Sequence, residues 1–224
     1  MVIRSIGQFQ MLKPAEFVPA WEPEILPADY FAPLNLEAIY GRHAPLEVDL
    51  GCGDGSFLVA SAEANPTHNF LGIERLAGRV RTVCRKIVSH RAANARILRV
   101  ESSYAVERLL PPASVAVFHL LFPDPWPKRR HWRRRVVTED FLTAIDRVLL
   151  PQGTLRIATD QIDYFQEIER LVAQFTRFVI SCDAKSSPAI STFEKRFRQS
   201  ELEIYRLVLR KVSVSRNDVA SQRS

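Results

Sequence analysis

The sequence predicts an α/β fold with a mainly parallel sheet that helices cover on both faces. From Leu46 onward, short apolar runs alternate with helical stretches, which is the pattern of successive strand–helix units. A glycine-rich loop directly follows the first strong strand. With 224 residues, 46% of them hydrophobic, the chain can bury a substantial core within one large domain.

The beginning of the chain is predicted to contain little regular structure. Five of the 14 prolines, at positions 14, 19, 23, 27 and 33, fall within the first 40 residues. Because proline disrupts helices and sheet ladders, we expect residues 1–40 to form a proline-rich N-terminal arm. Residues 41–212 are expected to form the folded domain, and the polar residues 213–224 a flexible C-terminal tail.

Within the domain, the elements follow from apolar periodicity and from helix signals such as Thr138, which precedes two acids as a helix cap does. The predicted strands are 46–50, 69–74, 96–101, 114–122 and 154–159, and the predicted helices are 55–64, 76–90, 105–110, 138–149 and 161–175. Two late apolar segments, 177–181 and 203–210, are expected to close the sheet as a hairpin, with a polar loop at 185–200 between them.

Most of the net charge of +6 is concentrated in residues 128–135, which hold six Lys and Arg residues and no acid. The remainder of the chain sums to nearly neutral. Nucleic acids bind through phosphates that Lys and Arg neutralise, while aromatics such as Trp126 and Trp132 stack on exposed bases. This segment therefore indicates RNA binding, although a solvated basic helix or loop is the common alternative.

The position of Asp124 favours the binding interpretation. This acid falls just past the predicted buried strand 114–122, and open α/β sheets bind ligands beyond the carboxyl ends of their strands. Asp160 follows the next predicted strand in the same way. An alternative for Asp160 is a cap of the helix that begins there.

Cysteine usage and the absence of long apolar segments limit the class of protein. Cys52, Cys84 and Cys182 are widely separated, so we expect neither a disulfide framework nor a metal site. The amino terminus lacks the pattern of a signal peptide, and no window approaches the roughly 18 apolar residues of a membrane span. We therefore expect a cytoplasmic protein that does not associate with membranes. Its oligomeric state is left open.

The glycine loop predicts a site for a nucleoside-containing cofactor. Gly51, Gly53 and Gly55 allow a ligand to approach the backbone closely. The dinucleotide fingerprint needs a third glycine or alanine where Ser56 stands, so the match to that pattern is incomplete. A tight structural turn is the alternative.

Acids near this loop favour S-adenosylmethionine (SAM) as the cofactor. A pyrophosphate group prefers a helix amino terminus without nearby anions, whereas Asp49 and Asp54 place two carboxylates in the turn. The ammonium and sulfonium groups of SAM are cationic and are attracted to carboxylates. Glu74 ends the second strand, where an acid can accept both ribose hydroxyls of an adenosine, an interaction that NAD offers as well.

Several motifs together resemble the bacterial tRNA (guanine-N7)-methyltransferase family over about residues 44–211. They are the Asp-x-Gly-x-Gly-x-Gly loop at 49–55, Gly72-Ile73-Glu74, Phe122-Pro123-Asp124-Pro125-Trp126-Pro127-Lys128, Ala158-Thr159-Asp160 and Thr192-Phe193-Glu194. The resemblance implies a Rossmann-like, seven-stranded SAM-dependent methyltransferase sheet with an antiparallel last strand. It also implies methyl transfer to N7 of a guanine in the variable loop of tRNA.

The same resemblance implies a role for individual residues. Asp124 corresponds to the catalytic carboxylate beside the cofactor and the target base. Cofactor contacts fall on Asp49, Gly51, Gly53, Gly55, Glu74, Tyr104 and Asp124. Substrate contacts fall on Lys128, Asp160, Ser191, Thr192, Phe193 and Glu194. Two of these depart from the family pattern, because Ser191 replaces a threonine and Tyr104 replaces an acid or amide that contacts adenine in many relatives.

The chemistry of guanine N7 limits what the protein must supply. N7 has a free lone pair and no proton, so it attacks a sulfonium methyl group without a general base. Carboxylates then serve to orient the base and to place negative potential near the moving charge. We therefore expect His119 to pack in the core and His131 to contact phosphate. Trp126 either packs under the loop or stacks on the guanine.

Three other functions remain open at this point. They are methylation of another RNA or of a small molecule by SAM, RNA binding without catalysis above a vestigial pocket, and reduction by a nicotinamide cofactor. The basic segment opposes a small-molecule substrate, and the acids in the glycine loop oppose a nicotinamide.

Overall fold

The computed structural model describes residues 22–181 and 203–212. Several predicted features lie outside these ranges. They are the first part of the arm (1–21), the polar loop at 185–200 with its predicted substrate contacts Ser191, Thr192, Phe193 and Glu194, and the tail at 213–224.

An eight-stranded sheet forms the centre of the described residues, in the order β1-β4-β3-β2-β5-β6-β8-β7. The strands are β1 Glu24–Ile25, β2 Leu46–Leu50, β3 Asn69–Ile73, β4 Ala95–Leu98, β5 Val115–Leu121, β6 Leu149–Thr159, β7 Phe178–Ile180 and β8 Tyr205–Lys211. The last strand, β8, runs antiparallel to both β6 and β7, and the remaining pairings are parallel. The predicted sheet with an antiparallel last strand is confirmed for β2–β8, and β1 is an additional eighth strand.

The additional strand and the first helix, α1 (Leu36–Tyr40), lie within the region that we expected to be an irregular arm. Residues 22–40 therefore contain more regular structure than we expected. β1 pairs with the edge of β4, and the carbonyl of Pro23 accepts a hydrogen bond from Ile97 N at 2.8 Å. Proline is tolerated here because an edge strand leaves one side of its backbone unpaired. Ile25 and Leu34 are buried, which anchors the segment.

Helices cover both faces of the sheet, and their positions agree with the prediction to within a few residues. They are α1, α2 (Ser56–Ala64), α3 (Ala77–Ser89), α4 (Ser102–Tyr104), which continues as a π-helical turn (Ala105–Leu109), α5 (Glu139–Val148) and α6 (Ile162–Gln174). The predicted cap of α5 is confirmed, since Thr138 Oγ1 accepts a hydrogen bond from Phe141 N at 3.1 Å. Within residues 22–181 and 203–212, no helix is both long and apolar enough to cross a membrane.

Strand β6 begins earlier than predicted. We expected Pro151 and Gly153 to separate it from α5, but pairing with β5 already starts at Leu149. Val115 pairs with Leu149 and Val117 with Thr154, so extra residues of β6 bulge out at this point. A bulge accommodates proline because its residues are not held in the ladder.

The sheet topology brings the predicted acids to one edge. Strands β2, β3, β5 and β6 are parallel neighbours, so their carboxyl ends meet there. The chain moves outward from β2 in opposite directions, through β3 on one side and through β5 on the other. A crevice forms at such a switch point, and Asp49, Glu74, Asp124 and Asp160 lie at this edge of the sheet.

Two glycines provide a matched test of this packing. At Gly55 the backbone φ is +73°, and an added Cβ would lie 2.8 Å from Val83 Cγ2 of α3. We expect Gly55→Ala to lower the free energy of unfolding by about 1 to 3 kcal/mol.

At Gly78, inside α3, an added Cβ meets nothing within 4 Å. Gly78→Ala should therefore raise the free energy of unfolding by about 0.5 to 1 kcal/mol. Urea unfolding measures both values, and a stabilising Gly55→Ala would contradict this packing.

Candidate active site

A cavity of about 710 Å³ opens at the carboxyl edge of the sheet. Its wall combines the ends of β2, β3 and β5 with the segment that follows β4. The acids on this wall are Asp49, Asp54, Glu74, Glu101 and Asp124. The structure therefore brings together the three acids that the sequence assigned to cofactor and catalysis, and it adds Glu101.

Backbone atoms of the glycine loop form part of the cavity wall. Gly51 and Gly53 line the cavity, and a Cβ at Gly51 would meet nothing within 4 Å, so space above the loop is open. The amides of Gly51 and Cys52 donate to Ile73 O at 2.9 and 3.0 Å, which fixes the loop to β3. Gly55 is not among the lining residues, because it packs behind the loop against Val83.

Asp49 and Glu74 form a buried pair of acids below this loop. Each is only 4% exposed. Burial, followed by the nearby charges of Asp54 and Glu74, raises the pKa of Asp49 to about 7. Glu74 accepts a hydrogen bond from Leu76 N at 2.9 Å and lies 3.4 Å from the Arg79 guanidinium. The floor of the cavity thus concentrates negative potential in a place that water does little to screen.

Asp54 has a different role from the one we expected. Its carboxylate lies 2.8 Å from Lys86 Nζ and accepts a hydrogen bond from Ser56 N at 3.1 Å. Burial acts to raise the pKa of Asp54, but hydrogen bonds from Lys86 and Ser56 outweigh it and lower the pKa to about 2. Asp54 therefore ties the start of α2 to α3, and Lys86 compensates its charge. Of the two acids in the turn, Asp49 is therefore the one whose charge no cation compensates among the described residues.

The loop after β5 presents Asp124 to the cavity. Phe122 N donates to Ala158 O at 2.7 Å, and both Phe122 and Trp126 have a positive φ, at 53° and 44°. Non-glycine residues adopt this conformation only where the surroundings enforce it. Asp124 itself is exposed and lines the cavity. Within residues 22–181 and 203–212, its carboxylate makes no hydrogen bond or ion pair, so it is available to a ligand.

The basic segment forms a 3₁₀ helix, Arg129–Arg134, beside this loop. We call it the basic helix. Arg134 lies with its guanidinium 4.9 Å from the centre of the Trp126 ring, and both side chains line the cavity. Trp126 is therefore half-buried at the cavity rather than packed wholly under the loop. Trp132 is exposed, with the Arg129 guanidinium 5.7 Å from its ring centre.

Arg135 does not belong to the exposed basic surface. It is only 5% exposed, and its guanidinium lies between the rings of Trp132 and Tyr164, 4.7 and 4.6 Å from their centres. Its Nε donates to Pro125 O at 2.9 Å, and its Nη1 pairs with Glu167 of α6. The other five Lys and Arg residues of segment 128–135 are exposed: Lys128, Arg129, Arg130, Arg133 and Arg134.

Two predicted substrate contacts, Lys128 and Asp160, are near the cavity but not on its wall. Lys128 is exposed and directly precedes the basic helix. Asp160 follows β6, and its Oδ2 accepts a hydrogen bond from Gln161 Nε2 at 2.8 Å. The residue at the cap position of α6 is Gln161, so the alternative role of Asp160 as the helix cap is not what the structure shows.

Tyr104, the predicted adenine contact, points elsewhere. Its hydroxyl donates to Tyr30 O at 2.9 Å, and the cavity wall on this side consists of Glu101 and Ser102. Glu101 Oε2 accepts a hydrogen bond from Tyr104 N at 3.0 Å, which starts the short helix α4. The sequence contained a signal for Glu101, because it follows a strand as Glu74 and Asp124 do.

No histidine is among the residues that line the cavity. The expectation that His119 packs in the core is confirmed: it is 2% exposed, bonds to Glu47 Oε2 at 2.7 Å, and contacts the Phe57 ring at 4.9 Å. Burial lowers its pKa. The His131 ring lies nearly perpendicular to the Trp126 ring, with 5.8 Å between the ring centres. Among the described residues, no group of three or more His, Cys, Asp and Glu side chains could hold a metal ion.

The sheet topology, with this cavity at its carboxyl edge, is the Rossmann-like fold of SAM-dependent methyltransferases. Solved structures share the fold. The 16S rRNA methyltransferase KamB has a TM-score of 0.58 at 15% identity, covering 80% of this chain and 93% of that one. A SAM-dependent methyltransferase from Aquifex aeolicus has a TM-score of 0.53 at 14% identity, covering 82% of this chain and 91% of that one.

Sequence relatives narrow the class to a family. A family model described as "Putative methyltransferase" matches residues 43–207. The tRNA (guanine-N(7)-)-methyltransferase of Nitrosomonas europaea is 34% identical over 168 residues, 73% of this chain and 75% of that protein. That of Syntrophotalea carbinolica is 35% identical over 133 residues, 59% of this chain. The chain belongs to the tRNA (guanine-N7)-methyltransferase family. The matches span between 57% and 75% of the length of these two relatives.

The burial of Arg135 leads to a prediction about stability. Arg135→Ala would leave Glu167 and the Pro125 carbonyl without this donor, so we expect the free energy of unfolding to fall by roughly 2 to 4 kcal/mol. Arg133→Ala removes an exposed charge from the same segment and should change the free energy of unfolding by less than about 0.5 kcal/mol. Urea unfolding of both variants measures the difference. Equal effects would show that Arg135 does not hold the loop.

Proposed function

We propose that this chain transfers the methyl group of SAM to N7 of a guanine in the variable loop of tRNA. The observation that carries the proposal is the position of Asp124. Its carboxylate, which has no partner among the residues that the structure describes, shares one cavity wall with the buried acids Asp49 and Glu74. Asp124 lies in the loop that continues into the basic helix. One site therefore combines a floor for a cationic donor with a rim for a polyanionic acceptor.

The cavity fits SAM in both size and charge. Its volume of about 710 Å³ is within the range of roughly 300 to 1,000 Å³ that small-molecule sites occupy. Asp49 and Glu74 would hold the cationic part of the donor and its ribose hydroxyls, beside the open backbone of Gly51 and Gly53. The raised pKa of Asp49 indicates an acid that lacks a compensating cation. The donor supplies an electrophilic methyl group on a positively charged sulfur.

The acceptor chemistry agrees with the side chains that line the cavity. Guanine N7 needs no deprotonation before it attacks a methyl group, and no histidine lines the cavity. Positive charge passes from the donor to the purine during transfer. A fixed carboxylate at Asp124 would orient the base and stabilise that charge as it moves, the two effects that preorganised groups supply most efficiently. We therefore assign Asp124 the catalytic role.

The rim of the cavity supports an RNA substrate over a small molecule. Arg134 lines the cavity together with Asp124, and the other four exposed Lys and Arg residues and the exposed Trp132 belong to the same segment. Phosphates with splayed bases are the ligands that suit such side chains. Lys128 and Asp160 are proposed substrate contacts. The other four, Ser191, Thr192, Phe193 and Glu194, lie outside the described residues and stay predictions. A tRNA substrate also implies a cytoplasmic location.

Incubation of the purified protein with labelled SAM and unmodified tRNA tests the activity. Borohydride reduction followed by aniline cleavage breaks the RNA chain at 7-methylguanosine and maps the modified position. Cleavage at a guanine of the variable loop supports the proposal. Label on a different base or on a small molecule, or no transfer, would reject it.

Asp124→Ala tests the catalytic assignment. We expect the rate of methyl transfer to fall by at least about 100-fold, because a preorganised charge at the reacting centre contributes at this scale. Binding of tRNA should change little, since the basic helix is intact. Glu169→Gln removes an exposed carboxylate of α6 and serves as the control. Single-turnover assays measure transfer, and a fully active Asp124→Ala would remove the assignment.

The pKa of Asp49 predicts how SAM binding depends on pH. Below pH 7 the free protein holds a proton on Asp49, and a cationic ligand must displace it. Affinity should therefore rise by up to about tenfold per pH unit toward pH 7 and level off above it. Calorimetry in two buffers that differ in ionisation enthalpy would detect the released proton. Asp49→Asn should bind weakly and without this dependence, and a flat wild-type profile would argue against the role of Asp49.

A further inference from the structure

A second concentration of cations lies outside the basic helix. Residues 75–99 contain eight Lys and Arg residues and no Asp or Glu. The net charge of the chain outside residues 128–135 is nearly zero, as we expected. Acids elsewhere in the chain balance these eight cations, so the net charge does not reveal them. The segment begins in the loop that follows β3, continues through helix α3 and strand β4, and ends directly after β4.

Half of these cations are held by backbone carbonyls or lie beside a carboxylate. Arg96 is buried and donates to backbone carbonyls, including Ala93 O at 2.9 Å. Lys86 pairs with Asp54 at 2.8 Å. Arg79 lies 3.4 Å from Glu74, and Arg99 lies 4.0 Å from Glu24.

The other four, Arg75, Arg81, Arg85 and Arg91, are exposed, and we call them the α3 basic face. Across the described parts of the chain, no carboxylate lies within ion-pair distance of them. Arg81 and Arg85 are one turn apart on α3. They lie on the side opposite Val83 and Ile87, which pack in the core. These two side chains therefore project from the solvent face of the helix.

This arrangement is unfavourable for the helix alone. Like charges four residues apart repel, and α3 has no acid in its first turn, where the helix dipole favours one. Helix α5 shows the ordinary pattern, with Glu139 and Asp140 in its first turn and Arg147 in its last. Local rules are broken in this way where a residue serves a ligand. A polyanion along α3 would remove the repulsion.

The α3 basic face is continuous with the active-site cavity. Arg75 and Arg79 line that cavity, as Arg134 of the basic helix does. Helix α3 has 13 residues and so extends for roughly 20 Å. Cations thus border the cavity on two sides, and a phosphate chain whose base reaches Asp124 can extend from the basic helix onto α3.

We infer that the α3 basic face is a second contact surface for the sugar–phosphate backbone of the tRNA substrate, separate from the basic helix. The inference rests on the proposed function, because the RNA that delivers a base to Asp124 is the polyanion that reaches both surfaces. It adds a binding surface that extends beyond the target nucleotide. Phosphates suit this face because its four cations are spread along the helix rather than gathered around one point.

The double variant Arg81→Gln with Arg85→Gln tests the inference without altering a residue of the cavity wall. Each lost phosphate contact should reduce the slope of log affinity against log salt concentration by up to about 0.7 to 0.9. We expect affinity for full-length unmodified tRNA to fall roughly tenfold at low salt, with KM for tRNA raised and the rate at saturating tRNA unchanged. Heat of SAM binding should stay as in the wild type.

Two controls make the result specific. Arg108→Gln with Arg170→Gln removes two exposed charges elsewhere and should leave the salt slope unchanged. A trinucleotide centred on the target guanine should bind the α3 double variant and the wild type equally, since it is too short to extend along α3. A wild-type slope for the α3 variant on full-length tRNA would overturn the inference, as would an equal loss of affinity for the trinucleotide. A wild type that methylates no tRNA would instead reject the proposed function.

Discussion

Two buried acids at neighbouring strand ends set the constraint on which the rest of the site depends. Burial and neighbouring charges raise the pKa of Asp49 from 3.8 to about 7. An acid with a raised pKa in the folded state destabilises that state once it ionises. The cost begins as pH rises above about 4, is complete above pH 7, and amounts to about 4 kcal/mol for such a shift. A cationic ligand above Asp49 and Glu74 offsets this cost, so the same burial that weakens the free protein strengthens its attraction for the donor.

Asp124 shares the cavity wall with these acids, and the basic segment that follows it serves two purposes. Phe122 and Trp126 have positive φ values, which other contacts must enforce. Arg135 supplies one such contact by joining the Pro125 carbonyl to Glu167 of α6. Neighbouring cations of the same segment stay in solvent. A run of arginines that looks uniform in sequence is thus divided by the fold into one buried residue that positions the loop and several exposed ones, to which we assign the substrate.

The sequence predicted those features that depend on strand order, and it missed those that depend on contacts between distant residues. Acids directly after parallel strands had to meet at one edge, so Asp49, Glu74 and Asp124 were found from position alone. The pairing of Asp54 with Lys86, and that of Arg135 with Glu167, joins residues about thirty positions apart, which no local pattern reveals. Glu101 was overlooked in favour of Tyr104 because the family pattern marked position 104. The cluster on α3 was missed because summed charge conceals local charge. The segment with Ser191 to Glu194 lies outside the described residues, and its role stays a prediction.

Under the proposed function, separation of charge within the site would also favour turnover. Asp49 and Glu74 make the floor anionic, while Arg134 and the exposed cations around it make the rim cationic. Methyl transfer removes the positive charge from the sulfur of the donor, so the floor attracts the spent cofactor less strongly than it attracted SAM. The methylated guanine becomes cationic at the same moment, and the carboxylate proposed to stabilise it is that of Asp124. The charges of the floor would therefore favour binding of the donor before the reaction and weaken the hold on the spent cofactor afterwards.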